Sequence, residues 1–106
     1  MLRGVRQRRP AVGGDMDPEV ERLRSAVSRL RRELAAYPVE FPDRGIAEDE
    51  LAALAAMAAH GTPEVPRLRR SLLLIAGAVG SVSALAGALT DVRYAVDVFG
   101  EPSAGR

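Results

Sequence analysis

Apolar residues at Val20, Leu23, Val27, Leu30, Leu34 and Tyr37 alternate strictly by three and four positions. That spacing keeps one narrow stripe on a single helical face and predicts a helix over about 17–37. Asp17-Pro18-Glu19 opens it: Asp17 can cap, proline suits the first helical position, and Glu19 and Glu21 favour the positive end of the helix. Arg22, Arg24, Arg29, Arg31 and Arg32 fall on the flanks of the stripe. Tyr37-Pro38 closes it, because a residue before proline resists the helical region. The loop Val39 to Gly45 follows, with Phe41 expected to turn inward. A second helix is predicted over about 46–60, with Glu48, Asp49 and Glu50 in its first turn, Leu51, Leu54 and Met57 on one face, and His60-Gly61 at its end.

Thr62-Pro63-Glu64 is a further cap-and-proline start, and from there a single helical phase runs a long way. Leu68, Leu72, Ile75, Val79, Val82, Ala86, Leu89 and Val96 keep it, and a second stripe from Leu74 through Ala78, Leu85 and Val92 to Phe99 runs beside it. The phase does not slip at Gly77 or Gly80. It therefore predicts one helix over about 64–99, with a bend near Gly77–Gly80 as its natural distortion. The expected fold is all-α: a small bundle of two shorter helices packed on a long C-terminal one. Residues 1–16 are expected to form an arginine-rich arm, 17–100 a single helical domain and 101–106 a tail. The arm begins like a basic leader, but no apolar run follows it, and Met16 would serve as a natural start.

Ser71 to Thr90 holds no charge, and the face opposite the two stripes is small rather than polar: Gly77, Gly80, Ala84 and Gly87, with Leu73 beside them. A helix apolar all round needs cover all round. In the favoured reading this ridge lets a second copy approach closely, giving a soluble homodimer, or it receives another helical protein. Three glycines cost roughly 3 kcal/mol of helix propensity, so close packing must return something. Gly80→Leu is accordingly expected to weaken association or folding. In the alternative reading 71–90 spans a membrane, with Arg67, Arg69 and Arg70 on the cytoplasmic side. Three glycines, three serines and a threonine erode the insertion energy of that segment, and the first two helices need its apolar surface as a partner.

Composition narrows the chemistry further. At 106 residues one domain is expected. The chain has no cysteine, which removes disulfides, thiol nucleophiles and thiolate metal sites, and its lone His60 cannot build a multi-histidine centre. All 15 basic residues are arginine, which removes Schiff-base chemistry and the P-loop lysine. Glu48, Asp49 and Glu50 are consecutive and diverge by about 100° each on a helix, so they do not converge on one ion. The stretch around Gly77 and Gly80 lacks the full dinucleotide-binding glycine pattern and has no room for a following sheet. No catalytic, cofactor-binding or metal-ligating residue is assigned, and the expected class is not an enzyme.

Arginine is the remaining chemistry. Arg29-Leu30-Arg31-Arg32 and Arg67-Leu68-Arg69-Arg70 share a pattern, each expected to bury its leucine while the arginines reach water. The acid-rich stretch 38–66 is a ready partner for both. Arg22, Arg29, Arg31 and Arg32 form the candidate surface for a partner or an anion. Nucleic-acid or phosphate binding through them is a second alternative, disfavoured by a net charge of +1 and four aromatic residues.

Two stretches, FPDRGIAEDELAALAAM (Phe41–Met57) and PRLRRSLLLIAGAVGSVSALA (Pro66–Ala86), together resemble a family of small, uncharacterised helical proteins from high-GC actinobacteria. The resemblance implies a compact helical cytoplasmic protein and supplies no catalytic residue. The expected function is a non-enzymatic interaction or scaffold module.

Overall fold

The computed structural model describes residues 17–61 and 63–99. The predicted arm and tail lie outside them, as does Thr62. Four helices follow one another: α1 (Pro18–Ala36), α2 (Arg44–His60), α3 (Val65–Val79) and α4 (Ala86–Phe99), the last preceded by a single 3-10 turn at Ser83–Leu85. There is no strand among the described residues. The all-α bundle predicted from periodicity is the fold.

Helix α1 begins as its sequence dictates. The Asp17 carboxylate accepts the Glu19 N–H at 2.9 Å, Pro18 occupies the first turn, and the chain turns extended at Tyr37 just before Pro38. Val20, Leu23, Val27, Leu30 and Leu34 are buried as the stripe requires, joined by Ala26. Helix α2 starts two residues earlier than predicted, at Arg44, so Glu48, Asp49 and Glu50 lie in its second turn rather than its first. It ends at Gly61, whose φ of +76° is the left-handed conformation that favours glycine, with its N–H bonded to the Ala58 carbonyl at 3.1 Å. Its buried face sets two leucines, Leu51 and Leu54, between the small Ala47 and Ala58, with Met57 half-buried beside it.

The predicted 64–99 helix is divided. Helix α3 stops at Val79, and Val82 is extended (φ −95°, ψ 99°), so the chain reverses before α4. Ser81, Val82 and Ser83 are weak helix formers, one β-branched and two that compete for backbone hydrogen bonds. The Val82 N–H bonds to the Val79 carbonyl at 2.9 Å and the Leu85 N–H to the Val82 carbonyl at 3.0 Å, which closes the turn tightly. The phase survived this reversal because α3 and α4 face one core and half-buried Val82 holds the intervening position. Periodicity alone does not separate a continuous helix from a hairpin whose turn preserves the count.

Helix α1 packs on α2 and α4, and α3 packs on the same two, so the four helices close a ring around one core. The order of cross-contacts shows that α1 and α4 run antiparallel. Arg22 meets Tyr94 whereas the later Arg29 meets the earlier Asp91. Leu23, Leu30, Leu34, Leu51, Leu54, Leu68, Ile75 and Leu85 are the large, fully buried side chains, each worth roughly 1.5–3 kcal/mol of burial.

Candidate interaction surfaces

The α1 arginines divide between two sides of the helix. Arg22 and Arg29 lean toward α4. The Arg22 guanidinium lies 5.4 Å from the centroid of the exposed Tyr94 ring, a cation–π distance. Arg29 donates through Nε to Glu33 at 2.9 Å and through NH1 to Asp91 of α4. The hydrogen bonds it donates, to Glu33 first and Asp91 second, hold its pKa above the ordinary arginine value. Arg29 is thus a clasp between α1 and α4, half-exposed and committed to two carboxylates.

Arg31 and Arg32 lean the other way. With Arg24, they border a groove of about 470 Å³ between α1 and α2, whose opposite wall is Ala55 and Ala59. Ser25 and Ser28 add hydroxyls, and Arg32 NH1 donates to Ser28 Oγ at 3.3 Å. Arg24 faces Glu21 at 3.6 Å. Arg31 makes no ion pair among the described residues. Sequence reading grouped Arg22, Arg29, Arg31 and Arg32 as one surface. The structure separates them pairwise and adds Arg24, which the helical spacing of 24, 28 and 31 already placed on one face.

The acid-rich stretch does not serve the arginine clusters as expected. Among the described residues its acids make one ion pair, Glu48 with Arg44 at 3.3 Å, inside the stretch. Arg67, Arg69 and Arg70 make none among the described residues. Glu50 accepts the hydrogen bond of the buried Ser71 hydroxyl at 2.8 Å, linking α2 to α3, while Asp49 is exposed. Of the three consecutive acids, Glu48 and Glu50 thus serve different partners while Asp49 faces water. No acidic or histidine cluster able to hold a metal occurs among the described residues. His60 ends α2 and donates from Nδ1 to the Ala56 carbonyl at 2.6 Å.

Arg44 is a residue that pattern reading missed. Its guanidinium donates to the carbonyls of Leu34 at 2.6 Å and Val39 at 3.0 Å and lies 5.9 Å from the Phe41 ring centroid. It thereby adds a second donor to the Leu34 carbonyl, which also accepts the Tyr37 N–H, and ties the end of α1 to the loop into α2. Phe41 turns inward as expected, edge-on to Tyr37 with ring centroids 6.1 Å apart. An arginine at a predicted loop end carries no sequence signal for this role.

The outer face of α3 leaves two neighbouring leucines uncovered, while Val39, Ile46 and Tyr94 are exposed elsewhere. Leu73 is 73% exposed and Leu74 43%. Gly77 stands on the same side as Leu73 with open space where a Cβ would be. Gly80 differs: a Cβ there would run into the Ala76 carbonyl of its own chain. The clash expected from Gly80→Leu is thus within the helix end and not between two copies. Ala84 is exposed in the 3-10 turn, and Gly87, in the first turn of α4, lies 3.4 Å from the Arg29 guanidinium at its Cβ position. The ridge read from Gly77 to Gly87 is therefore interrupted at Gly80, and Gly87 belongs to the α1–α4 seam. The same break overturns the membrane-span reading of 71–90. No helix among the described residues is long and apolar enough to cross a membrane.

No curated protein and no solved structure matches the chain. A family profile does match, over residues 12–100, covering all four helices. The chain belongs to the family of unknown function DUF5955.

Proposed function

We propose that the protein is a non-enzymatic helical interaction module that self-associates through the outer face of α3. The observation that carries this reading is the exposure of Leu73 and Leu74 on a helix whose opposite face already completes the core. An exposed leucine pair beside an open glycine face is poorly explained by the needs of the monomer. The occupant is a second copy, laid antiparallel. Helix α3 carries Arg67, Arg69 and Arg70 near its positive N-terminal end, with no acid in its first turn. Antiparallel pairing about Leu73 sets Arg69 and Arg70 beside the negative C-terminal end of the facing α3, where cations are favoured. A different helical protein is the other candidate occupant. The reading includes a cytoplasmic location, and it assigns no catalytic residue because the chain lacks cysteine and lysine and has a single histidine.

The absence of cysteine from the sequence makes a direct test clean. Leu73→Cys should form a disulfide-linked dimer rapidly under mild oxidation, because backbones that close at glycine bring Cα atoms within bonding reach. Arg93→Cys, on the exposed side of α4, should cross-link far more slowly. Equal rates at the two positions would contradict the interface.

A further inference from the structure

We propose that the groove between α1 and α2 is a binding site for small phosphorylated anions, in particular an oligophosphate chain. This inference stands apart from self-association, since the groove opens on the α1–α2 side of the ring, across from the seam of α3 with α4. Arg24, Arg31 and Arg32 supply three guanidinium groups against a single carboxylate, Glu21. That leaves a net charge of +2 in a concave space of about 470 Å³. Arg24, Ser28 and Arg31 fall four and three residues apart, on one helical face. The run from Arg24 to Arg31 covers about 10 Å of helix axis, a span suited to successive phosphates and longer than one phosphate needs.

The opposite wall explains why this space is open. Ala55 and Ala59 stand one turn apart on α2, so the helix presents no side chain long enough to fill the groove or neutralise it. Planar guanidinium forks match phosphate oxygens in pairs, and the Ser25 and Ser28 hydroxyls add neutral donors that accept either rotamer. The groove has no aromatic wall: Tyr37 and Phe41 pack on each other, and Tyr94 lies against Arg22 on the far flank of α1. A base has nothing to stack on, which selects for the phosphates of a ligand over its nucleobase.

The test is calorimetric titration of the full chain with inorganic triphosphate at constant ionic strength, alongside amide shift mapping. Saturable binding with one ligand per chain is expected, with shifts concentrated in α1 and α2. Replacing Arg31→Gln and Arg32→Gln together should weaken it at least about tenfold, the scale of one lost charge-assisted hydrogen bond. Replacing Arg67→Gln and Arg93→Gln removes the same charge away from the groove and should leave affinity unchanged. Both pairs are exposed, so circular dichroism should show the helices persisting in each variant. Equal weakening by the two double variants would reduce the effect to net charge and overturn the site. So would the absence of saturation, or binding of single-stranded oligonucleotides without binding of triphosphate.

Discussion

Arg29-Leu30-Arg31-Arg32 in α1 and Arg67-Leu68-Arg69-Arg70 in α3 are the same tetrapeptide in two settings. Both leucines are fully buried, because the helical phase alone decides which residue faces the core. The arginines then diverge. Arg29 is claimed by Glu33 and by Asp91, which is 62 residues away in sequence, whereas Arg67, Arg69 and Arg70 make no ion pair among the described residues. Around the first tetrapeptide the surface is polar and grooved; beyond the second lie Leu73, Leu74 and Gly77. The comparison separates two kinds of information in one motif. Local spacing places the knob, and distant neighbours determine what the flanking charges do.

The largest effects should test the shared half of the comparison. Leu30→Ala and Leu68→Ala are each expected to cost about 2–5 kcal/mol in denaturant unfolding, since both remove a fully buried side chain. A harmless substitution at one of them would break the equivalence of the two settings. The glycines sharpen it next. Gly80→Ala should lower stability by about 1–3 kcal/mol, because the added Cβ runs into the Ala76 carbonyl. Gly77→Ala, only three residues earlier, should raise the stability of the isolated chain by about 0.5–1 kcal/mol, since its Cβ meets nothing and alanine favours the helix. The smallest effects concern the arginines. Arg29→Gln should lower the melting temperature by an amount that shrinks as salt is added, because it opens the α1–α4 clasp. Arg69→Gln should leave the monomer unchanged or slightly more stable, relieving a cation near a positive helix end. The opposite order would mean that the two clusters are not distinguished by their partners.

Much of this arrangement was legible in the chain. The caps at Asp17 and Gly61, the α1 stripe and the buried leucines follow from local chemistry and helical period, and both act within a few residues. The prominence of Leu73 and Gly77 followed too, since the stripes left that face without a partner. The turn at Gly80–Val82 was hidden because the apolar count continued through it. Nothing in that count records direction. Arg44 and Asp91 were hidden for another reason: each acts on a backbone or side-chain group distant in sequence, Leu34 and Arg29 respectively. Such pairings exist only once the helices have packed. The division of the α1 arginines between the α2 and α4 sides belongs to the same class, since it depends on which helix lies against each flank.

The central claim is that the outer face of α3 joins two copies of the chain. Light-scattering mass after size exclusion, across a range of protein concentration, tests it most directly when wild type is compared with Leu73→Glu. The account predicts twice the 11.3 kDa chain mass for the wild type and a single chain mass for the variant, with helical content equal in both. A wild-type chain that stays at single mass into the high micromolar range would contradict it, as would a Leu73→Glu variant that keeps the doubled mass.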